Sequence, residues 1–343
     1  MNRILVIQTA FLGDVVLTTP LLRELRRAQP AAELVVVSTP LGVQTLTGLR
    51  HVGRLLAFEK KGVQRGVLGM GRFARDLRRE RFDAVVAAQR SSRTALLALA
   101  SGAPVRVGFA GAPGSWSYTR EVRWDRAHHA VRRYLALSGP LGGDPESADP
   151  TPELAVLDDA RAEVLHLLGE AGVPAGAQLV GIAPGSIWGT KRWLPERYAE
   201  LARALREDGA RPLLLGSPAE RELCERIAAQ AGDVAPVLAG RTSVPQLTAL
   251  LSLCAALVTN DSGPGHVASA VGTPVVAVFG PTVPAFGYTP FGPRNAVVEQ
   301  LGLACRPCDS HGPQVCPLGH HRCMTEIPVS AVLAATRCVL AVA

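Results

Sequence analysis

The feature that most constrains the fold of this chain is an alternation of short apolar runs with helical segments, which occurs in both halves. The β-rich apolar runs occupy residues 3–8, 33–38, 82–88 and 106–109, then 178–183, 211–215, 255–258 and 274–279. Helical patterns fall at 14–28, 72–81, 92–100, 158–171, 195–208, 220–230, 244–253 and 266–271. Strands that alternate with helices indicate parallel, doubly wound sheets. The sequence therefore predicts an α/β protein with two Rossmann-like domains, which we expect to face each other across a cleft.

The domain boundary is predicted from length and from one stretch of biased composition. A chain of 343 residues suits two domains of ordinary size. Residues 139–153 are rich in Gly, Pro, Asp, Glu and Ser, which is typical of a linker. We therefore expect one domain over 1–150 and another over 151–328, and we expect the last helical segment, 329–343, to pack back on the first.

Composition excludes several classes of protein. Charged residues make up 19% and apolar residues 48%, with no low-complexity tract, so a globular chain is expected. No apolar run approaches the roughly 20 residues that span a bilayer. Asp14 interrupts the first apolar segment and no small-residue cleavage site follows, which argues against a secretory signal. A cytoplasmic protein is predicted.

Charge is distributed unevenly between the halves. Residues 1–150 hold 22 basic and 12 acidic side chains, whereas the remainder holds 14 basic and 17 acidic ones. A basic first half predicts an anionic macromolecular partner, such as nucleic acid, acidic glycan or anionic lipid; an arginine-rich composition bias is the alternative. The acidic balance of the second half disfavours nucleic acid.

The most informative local pattern is the strand, tight turn and helix start around residues 255–271. Orphan amides at a helix start point at the turn, and the helix dipole favours an anion there. Asp261 follows the strand's carboxyl end, where open α/β sheets place ligand contacts. We therefore predict a phosphate held by residues 262–266, with Asp261 facing the neutral part of the ligand. In the alternative interpretation Asp261 caps the helix and Gly263 and Gly265 only permit the turn.

Two further loops carry polar residues after predicted strands. In the first turn Gly13 permits close backbone approach, and Asp14 is either a helix N-cap or a general base. In the second half Gly185 and Ser186 follow a strand, and Lys191 and Arg192 come a few residues later. A lysine point charge beside an arginine fork suits a diphosphate. The spacing of a Walker A loop is absent.

Four of the seven cysteines fall within nineteen residues of the second half. They are Cys305, Cys308, Cys316 and Cys323, in a Cys-rich loop over 305–323. Disulfides are not expected in a reducing cytosol. Clustered thiolates that begin with a C-x2-C spacing favour a tetrahedral metal site, usually zinc, and four thiolates suit iron as well. The alternative is a set of free structural thiols.

Taken together, these motifs resemble the ADP-heptose:lipopolysaccharide heptosyltransferases of glycosyltransferase family 9, which have the GT-B fold. The resemblance covers essentially the whole chain, and its tail is most similar to enzymes that add the second heptose of the inner core. The resemblance depends on the order and spacing of short motifs along the chain. These are residues 4–6, 13–15, 18–20, 184–186, 191–195, 259–263 with His266, 279–282 and the late cysteine segment. Pro264-Gly265 departs from the bulkier residues of relatives.

The resemblance implies an inverting transfer of heptose from ADP-heptose to the lipopolysaccharide inner core, with no cofactor needed for the chemistry. It matches Asp14 to the base that deprotonates the acceptor, Lys191 to the residue that stabilises the leaving diphosphate, and Asp261 to a contact of the donor sugar. Gly185, Ser186 and Arg192 would line the donor site. By position, Glu220 is expected near the ribose and Thr242 near adenine, while residues 262–266 hold the phosphates.

The resemblance also gives the basic first half a purpose. The acceptor is an acidic glycolipid, so Gly13 and basic side chains of the first domain are candidate contacts, and peripheral attachment to the inner face of the cytoplasmic membrane is expected. The basic candidates are Lys60, Lys61 and Arg120. The alternatives are a relative that uses another nucleotide-sugar or a protein acceptor, and a nucleotide-sugar-binding protein without turnover.

Overall fold

The computed structural model describes residues 1–59, 62, 64 and 66–341, without the side chain of Val67. The chain divides into two compact units, Met1–Ala155 and Val156–Ala343. Each unit contains one parallel sheet covered by helices. Across the described ranges no helix combines the length and the hydropathy that crossing a bilayer requires.

The first unit has a six-stranded sheet in the order β3-β2-β1-β4-β5-β6. The strands are β1 (Arg3–Gln8), β2 (Glu33–Ser38), β3 (Arg54–Ala57), β4 (Ala84–Ala87), β5 (Val105–Phe109) and β6 (Arg120–Val122). The helices are α1 (Leu12–Leu17), α2 (Thr19–Ala28), α3 (Pro40–Leu46), α4 (Gly66–Arg79), α5 (Ser92–Ala100) and α6 (Ala130–Leu135). This strand order is that of the Rossmann fold, so the prediction for the first half is confirmed.

The second unit has a five-stranded sheet in the order β11-β10-β9-β7-β8. The strands are β7 (Leu179–Ala183), β8 (Arg211–Leu214), β9 (Ala256–Asn260), β10 (Val275–Phe279) and β11 (Ala296–Glu299). The helices are α7 (Asp158–Glu170), α8 (Pro195–Glu207), α9 (Arg221–Ala231), α10 (Val244–Leu253), α11 (Gly263–Ala270), α12 (Arg322–Thr325) and α13 (Val329–Ala341). The order reverses between β7 and β9, and ligands of open α/β sheets bind at the carboxyl ends of strands at such a point.

The apolar runs became the central strands because helices cover both faces of each sheet. All residues of β7, β9 and β10 are buried. Strands of this kind lack the inside–outside alternation of half-exposed sheets and are instead apolar throughout. The core therefore lies on both sides of each sheet, and the polar residues that end these strands are held at its edge.

The predicted helix over 14–28 is divided in the structure. α1 ends at Leu17 and α2 begins at Thr19, with Pro20 at its second position. Proline has no N–H to donate to the preceding turn. The Val16 carbonyl, four residues before Pro20, therefore lacks this partner. It accepts a hydrogen bond from the Thr19 hydroxyl at 2.8 Å instead.

Two segments near the predicted domain boundary differ from expectation. Part of the predicted linker is packed on the first unit, because the Asp144 amide donates to Glu24 Oε1 at 2.7 Å. The last helix, α13, was predicted to pack on the first domain, but it lies in the core of the second unit. Its residues Val332 and Val339 are buried in the same cluster as Tyr198 of α8.

Candidate active site

The centre of the candidate site in the second unit is a buried ion pair. The Lys191 ammonium lies 2.5 Å from Asp261 Oδ2, and the two side chains are only 11% and 10% exposed. The Thr282 hydroxyl donates to the same oxygen at 2.6 Å. Asp261 follows β9 directly, whereas Lys191 comes from the loop after β7. Predicted site residues that are 70 positions apart in sequence are therefore brought into direct contact.

Asn260, the last residue of β9, holds in place the loop that carries Lys191 (residues 184–194, between β7 and α8), called the lysine loop below. Its side-chain amide donates to the Pro184 carbonyl at 2.8 Å, and its Oδ1 accepts from the Trp193 amide at 3.0 Å and from the Tyr198 hydroxyl at 2.9 Å. Asn260 is fully buried. Since it binds the loop on both sides of Lys191, it fixes where the ammonium can lie.

The helix that follows Asp261 begins three residues before the predicted segment 266–271. Ser262 is the N-cap of α11, and the helix proper begins at Gly263. The Ser262 hydroxyl is paired with Thr259 Oγ1 at 3.1 Å. Gly265 and His266 are buried in the first turn. A side chain at position 265 would meet Thr259 Cγ2 at 3.2 Å, so glycine lets this turn lie close to the strand end. The amides of this turn and the helix dipole suit an anion, and Lys191 supplies a full positive charge beside it.

Glu220 lies against Gly185, so the structure brings these two predicted donor residues together. A Cβ atom on Gly185 would fall 1.8 Å from Glu220 Oε1, so a side chain there would displace the Glu220 carboxylate. The other oxygen, Oε2, accepts from the Ser217 amide at 2.7 Å and the Ser217 hydroxyl at 2.8 Å, in a capping box. Glu220 is thus a cap as well as a candidate ligand contact. Thr242 lies in the loop before α10, and Gly240 of that loop binds Gly216 beside the capping box.

The other two residues of the lysine loop differ in exposure. The Ser186 side chain is buried, and its hydroxyl accepts from the Trp188 amide at 3.3 Å. Arg192 is exposed, and its Nε donates to the Ser186 carbonyl at 2.8 Å. Arg192 therefore closes the loop on itself and leaves part of its guanidinium at the surface.

The Cys-rich segment forms hydrogen bonds with the lysine loop. The Gly189 amide donates to Gln314 Oε1 at 3.1 Å, and the Thr190 hydroxyl donates to the Pro313 carbonyl at 2.5 Å. The His321 Nε2 atom lies 2.7 Å from the Thr190 carbonyl. The segment therefore holds the two residues that precede Lys191 by hydrogen bonds.

The four cysteines of this segment do not form a metal-binding group in the structure. Within the described ranges no set of three or more His, Cys, Asp or Glu side chains is arranged to hold a metal ion. The thiols are near enough to affect one another: burial, and then the charges of neighbouring thiols, raise the pKa of Cys308 and raise that of Cys323 to about 11. Burial also opposes ionisation of Cys316, but backbone amides of 318–321 outweigh it and lower its pKa. The predicted zinc or iron site is not confirmed.

In the first unit, Asp14 is hydrogen-bonded to a tyrosine 120 positions further along the chain. The Tyr134 hydroxyl of α6 donates to Asp14 Oδ1 at 2.7 Å. Asp14 is the third residue of α1, and Phe11 occupies the N-cap position. The interpretation of Asp14 as the N-cap is therefore wrong. Gly13 precedes Asp14 within the first turn of α1.

The predicted acceptor contacts are only partly placed. Arg120 begins β6, three strands away from β1, which corresponds to about 14 Å across the sheet. Lys60 and Lys61 lie outside the described residues. Sequence reasoning did not select Arg90, which follows β4 and is nearer to β1 in the strand order. Its guanidinium lies over the Trp124 ring, 5.0 Å from the centroid.

Sequence reasoning did not select three residues that hold site side chains in place: Asn260, Thr282 and Tyr134. Asn260 and Thr282 belong to short motifs at strand ends, so their positions carried a signal that was assigned to their neighbours. Tyr134 carried none, because 120 residues separate it from Asp14.

Known structures show the class to which this architecture belongs. A glycosyl transferase family 9 protein from Veillonella parvula matches with a TM-score of 0.89 and 26% identity over 100% of this chain and 98% of that one. The structure of the Escherichia coli ADP-heptose lipopolysaccharide heptosyltransferase II matches with a TM-score of 0.81 and 26% identity, over 99% and 98%. The fold is that of a GT-B glycosyltransferase.

Sequence comparison gives the family. The model of glycosyltransferase family 9 (heptosyltransferase) matches residues 70–317. Lipopolysaccharide heptosyltransferase 2 of Escherichia coli K12 is 30% identical over 296 residues, which is 83% of this chain and 84% of that protein. The chain belongs to glycosyltransferase family 9, as the sequence motifs predicted, and it is an enzyme of the heptosyltransferase type.

Proposed function

We propose that this protein transfers heptose from ADP-heptose to the inner core of lipopolysaccharide, with inversion at the anomeric carbon. The observation that carries the proposal is the buried Lys191–Asp261 pair at the end of β9, beside the first turn of α11. A lysine charge and helix amides suit a diphosphate, and Asp261 is in place to accept hydrogen bonds from sugar hydroxyls. The names of the relatives supply the nucleotide and the sugar.

The reaction assigns each unit one task. The second unit holds the donor through Lys191, Asp261 and α11. In the first unit the Asp14 carboxylate removes the proton from the acceptor hydroxyl. The acceptor oxygen then forms a bond to the anomeric carbon, and the bond from that carbon to the diphosphate oxygen breaks. The electron pair stays on ADP, whose new negative charge the Lys191 ammonium stabilises.

Glu220 and Thr242 are proposed to bind the nucleoside. Gly185 leaves room for the Glu220 carboxylate at the end of β7, next to the lysine loop. A carboxylate there can accept hydrogen bonds from ribose hydroxyls. Thr242 lies on the adjoining loop and is assigned to the adenine side.

A transfer assay with a choice of donors tests this proposal. We expect turnover with ADP-heptose and little with UDP- or GDP-sugars, and Asp14→Ala should lower kcat about 10²- to 10⁴-fold while ADP-heptose still binds. Asp76→Ala is the control, because Asp76 is an exposed aspartate of the same unit. Heptose transfer at the parent rate by Asp14→Ala would refute the assignment of the base, and preference for another nucleotide would refute the donor.

Attachment to an anionic membrane surface is part of the proposal. The excess of basic residues in the first 150 positions supports it, since each basic residue near an anionic surface contributes about 1 kcal/mol. The acceptor contacts assigned to Lys60, Lys61 and Arg120 are part of the same proposal. Binding to vesicles with anionic lipid that disappears in neutral vesicles and in high salt is the expected result.

The reaction as proposed uses no metal. A metal on the four cysteines would be structural, and it stays a prediction. Elemental analysis of the purified protein tests it: about one zinc or iron per chain would support it, and a metal-free folded protein would refute it.

A further inference from the structure

We propose that Tyr134 is a positioning residue for Asp14: its hydroxyl fixes the orientation of the carboxylate, and thereby the direction from which the carboxylate takes the acceptor's proton. This inference rests on the proposed function, which makes Asp14 the base. The contact itself is the hydrogen bond of 2.7 Å from the Tyr134 hydroxyl to Asp14 Oδ1.

The tyrosine can act as a fixed point because its ring is buried and packed against another ring. Tyr134 is 3% exposed and its ring packs against Phe109, with the centroids 6.4 Å apart. Phe109 is in turn in edge contact with Trp124 at 4.7 Å, and the Arg90 and Arg133 guanidinium groups lie over the Trp124 ring. A ring packed in this way has one rotamer available, so its hydroxyl has one position.

The position of the Asp14 carboxylate matters for the proposed reaction. Asp14 is half-buried in the first turn of a six-residue helix. General-base catalysis depends on a carboxylate oxygen within hydrogen-bond reach of the proton that it removes, and small errors in position reduce the rate strongly.

The chemistry of the anchor suits a base. A lysine or arginine in the place of Tyr134 would also orient the carboxylate, but its positive charge would make the carboxylate a weaker proton acceptor. A tyrosine hydroxyl is neutral near pH 7 and donates one hydrogen bond. The donor that orients the carboxylate therefore adds no positive charge to it.

A comparison of two tyrosine variants tests the inference. Tyr134→Phe keeps the packed ring and removes the donor. Tyr118→Phe is the matched control: Tyr118 is also buried in the first unit, and its hydroxyl has no hydrogen-bond partner among the described residues. Heptose transfer is measured with ADP-heptose and the lipopolysaccharide acceptor, together with KM for the donor and the melting temperature. We expect Tyr134→Phe to lose about 10- to 100-fold in kcat with KM for ADP-heptose unchanged. Tyr118→Phe should stay within about twofold of the parent.

The Asp14→Ala background separates positioning from a structural role. If Tyr134 acts through Asp14, Tyr134→Phe should have no further effect on the residual rate of Asp14→Ala. A parental kcat for Tyr134→Phe, or the same loss in both backgrounds, would overturn the inference while leaving Asp14 as the base. If Asp14→Ala transfers heptose at the parent rate, or if the parent does not use ADP-heptose, the proposed function fails and this inference fails with it.

Discussion

Replacing Asp261 with alanine should destabilise the second unit markedly, because it leaves the Lys191 ammonium buried without its counter-charge. The two side chains are 11% and 10% exposed, and Thr282 also loses the oxygen to which it donates. Removal of one partner from a buried ion pair costs about 3–5 kcal/mol. Since both groups keep some exposure, we expect a loss of about 3 kcal/mol, at the lower end of that range.

Thermal denaturation measures this loss. For a unit of this size, a destabilisation of about 3 kcal/mol lowers Tm by roughly 6–12 °C. The control is Asp208→Ala, which breaks the ion pair with Arg337 in the same unit. That pair is largely exposed, at 57% and 33%, so the control should leave Tm nearly unchanged.

A double variant shows whether the buried charge is the cause. Lys191→Met combined with Asp261→Ala removes both charges, so no unpaired ion remains. It should regain at least about 1 kcal/mol relative to Asp261→Ala alone, although neither protein should transfer heptose. A Tm for Asp261→Ala equal to that of Asp208→Ala, or a double variant less stable than Asp261→Ala, would refute the reasoning.

Three further predictions address other contacts. Gly185→Ala should raise KM for ADP-heptose, because the new methyl group would displace the Glu220 carboxylate that lies 1.8 Å away; steady-state kinetics measure it. Thr282→Val should lower kcat/KM about tenfold, since a hydrogen bond to the charged Asp261 is lost. Glu80→Gln should lower Tm at pH 7 and much less at pH 3: hydrogen bonds from arginines hold the pKa of Glu80 below its usual value, so its stabilisation is present above about pH 4 and is lost on acidification.

Each of these has a result that would count against it. Gly169 lies on α7 with open space around its Cβ position, so Gly169→Ala should leave KM unchanged; an equal effect of both alanine variants would disprove the steric argument. An unchanged kcat/KM for Thr282→Val would remove Thr282 from the site. A Tm loss for Glu80→Gln that is the same at both pH values would show that charge is not the cause.

The central strands and the donor loop could be predicted from sequence because their signals are local. β7 and the first three residues of β9 are apolar, and the turn after Asp261 shows the N-cap and glycines that a helix start requires. The carboxyl ends of the neighbouring strands β7 and β9 meet at one edge of the sheet, which brings the loops of Lys191 and Asp261 near each other, but the sequence did not predict their direct contact.

The remaining features depend on tertiary packing. No local pattern joins Tyr134 to Asp14, which lie on different helices. The apolar pattern of α13 does not state its partner, and in the structure it packs with α8 in the core of the second unit. The cysteine spacing favours a metal, yet Gln314 and His321 of the same segment contact the lysine loop instead. Spacing alone does not reveal which partner a loop has.

A crystal structure with bound ADP-heptose would show directly where the donor lies. We expect the diphosphate against the first turn of α11, with an oxygen within hydrogen-bond distance of the Lys191 ammonium and a sugar hydroxyl on Asp261. A diphosphate bound away from α11 and Lys191 would contradict this expectation.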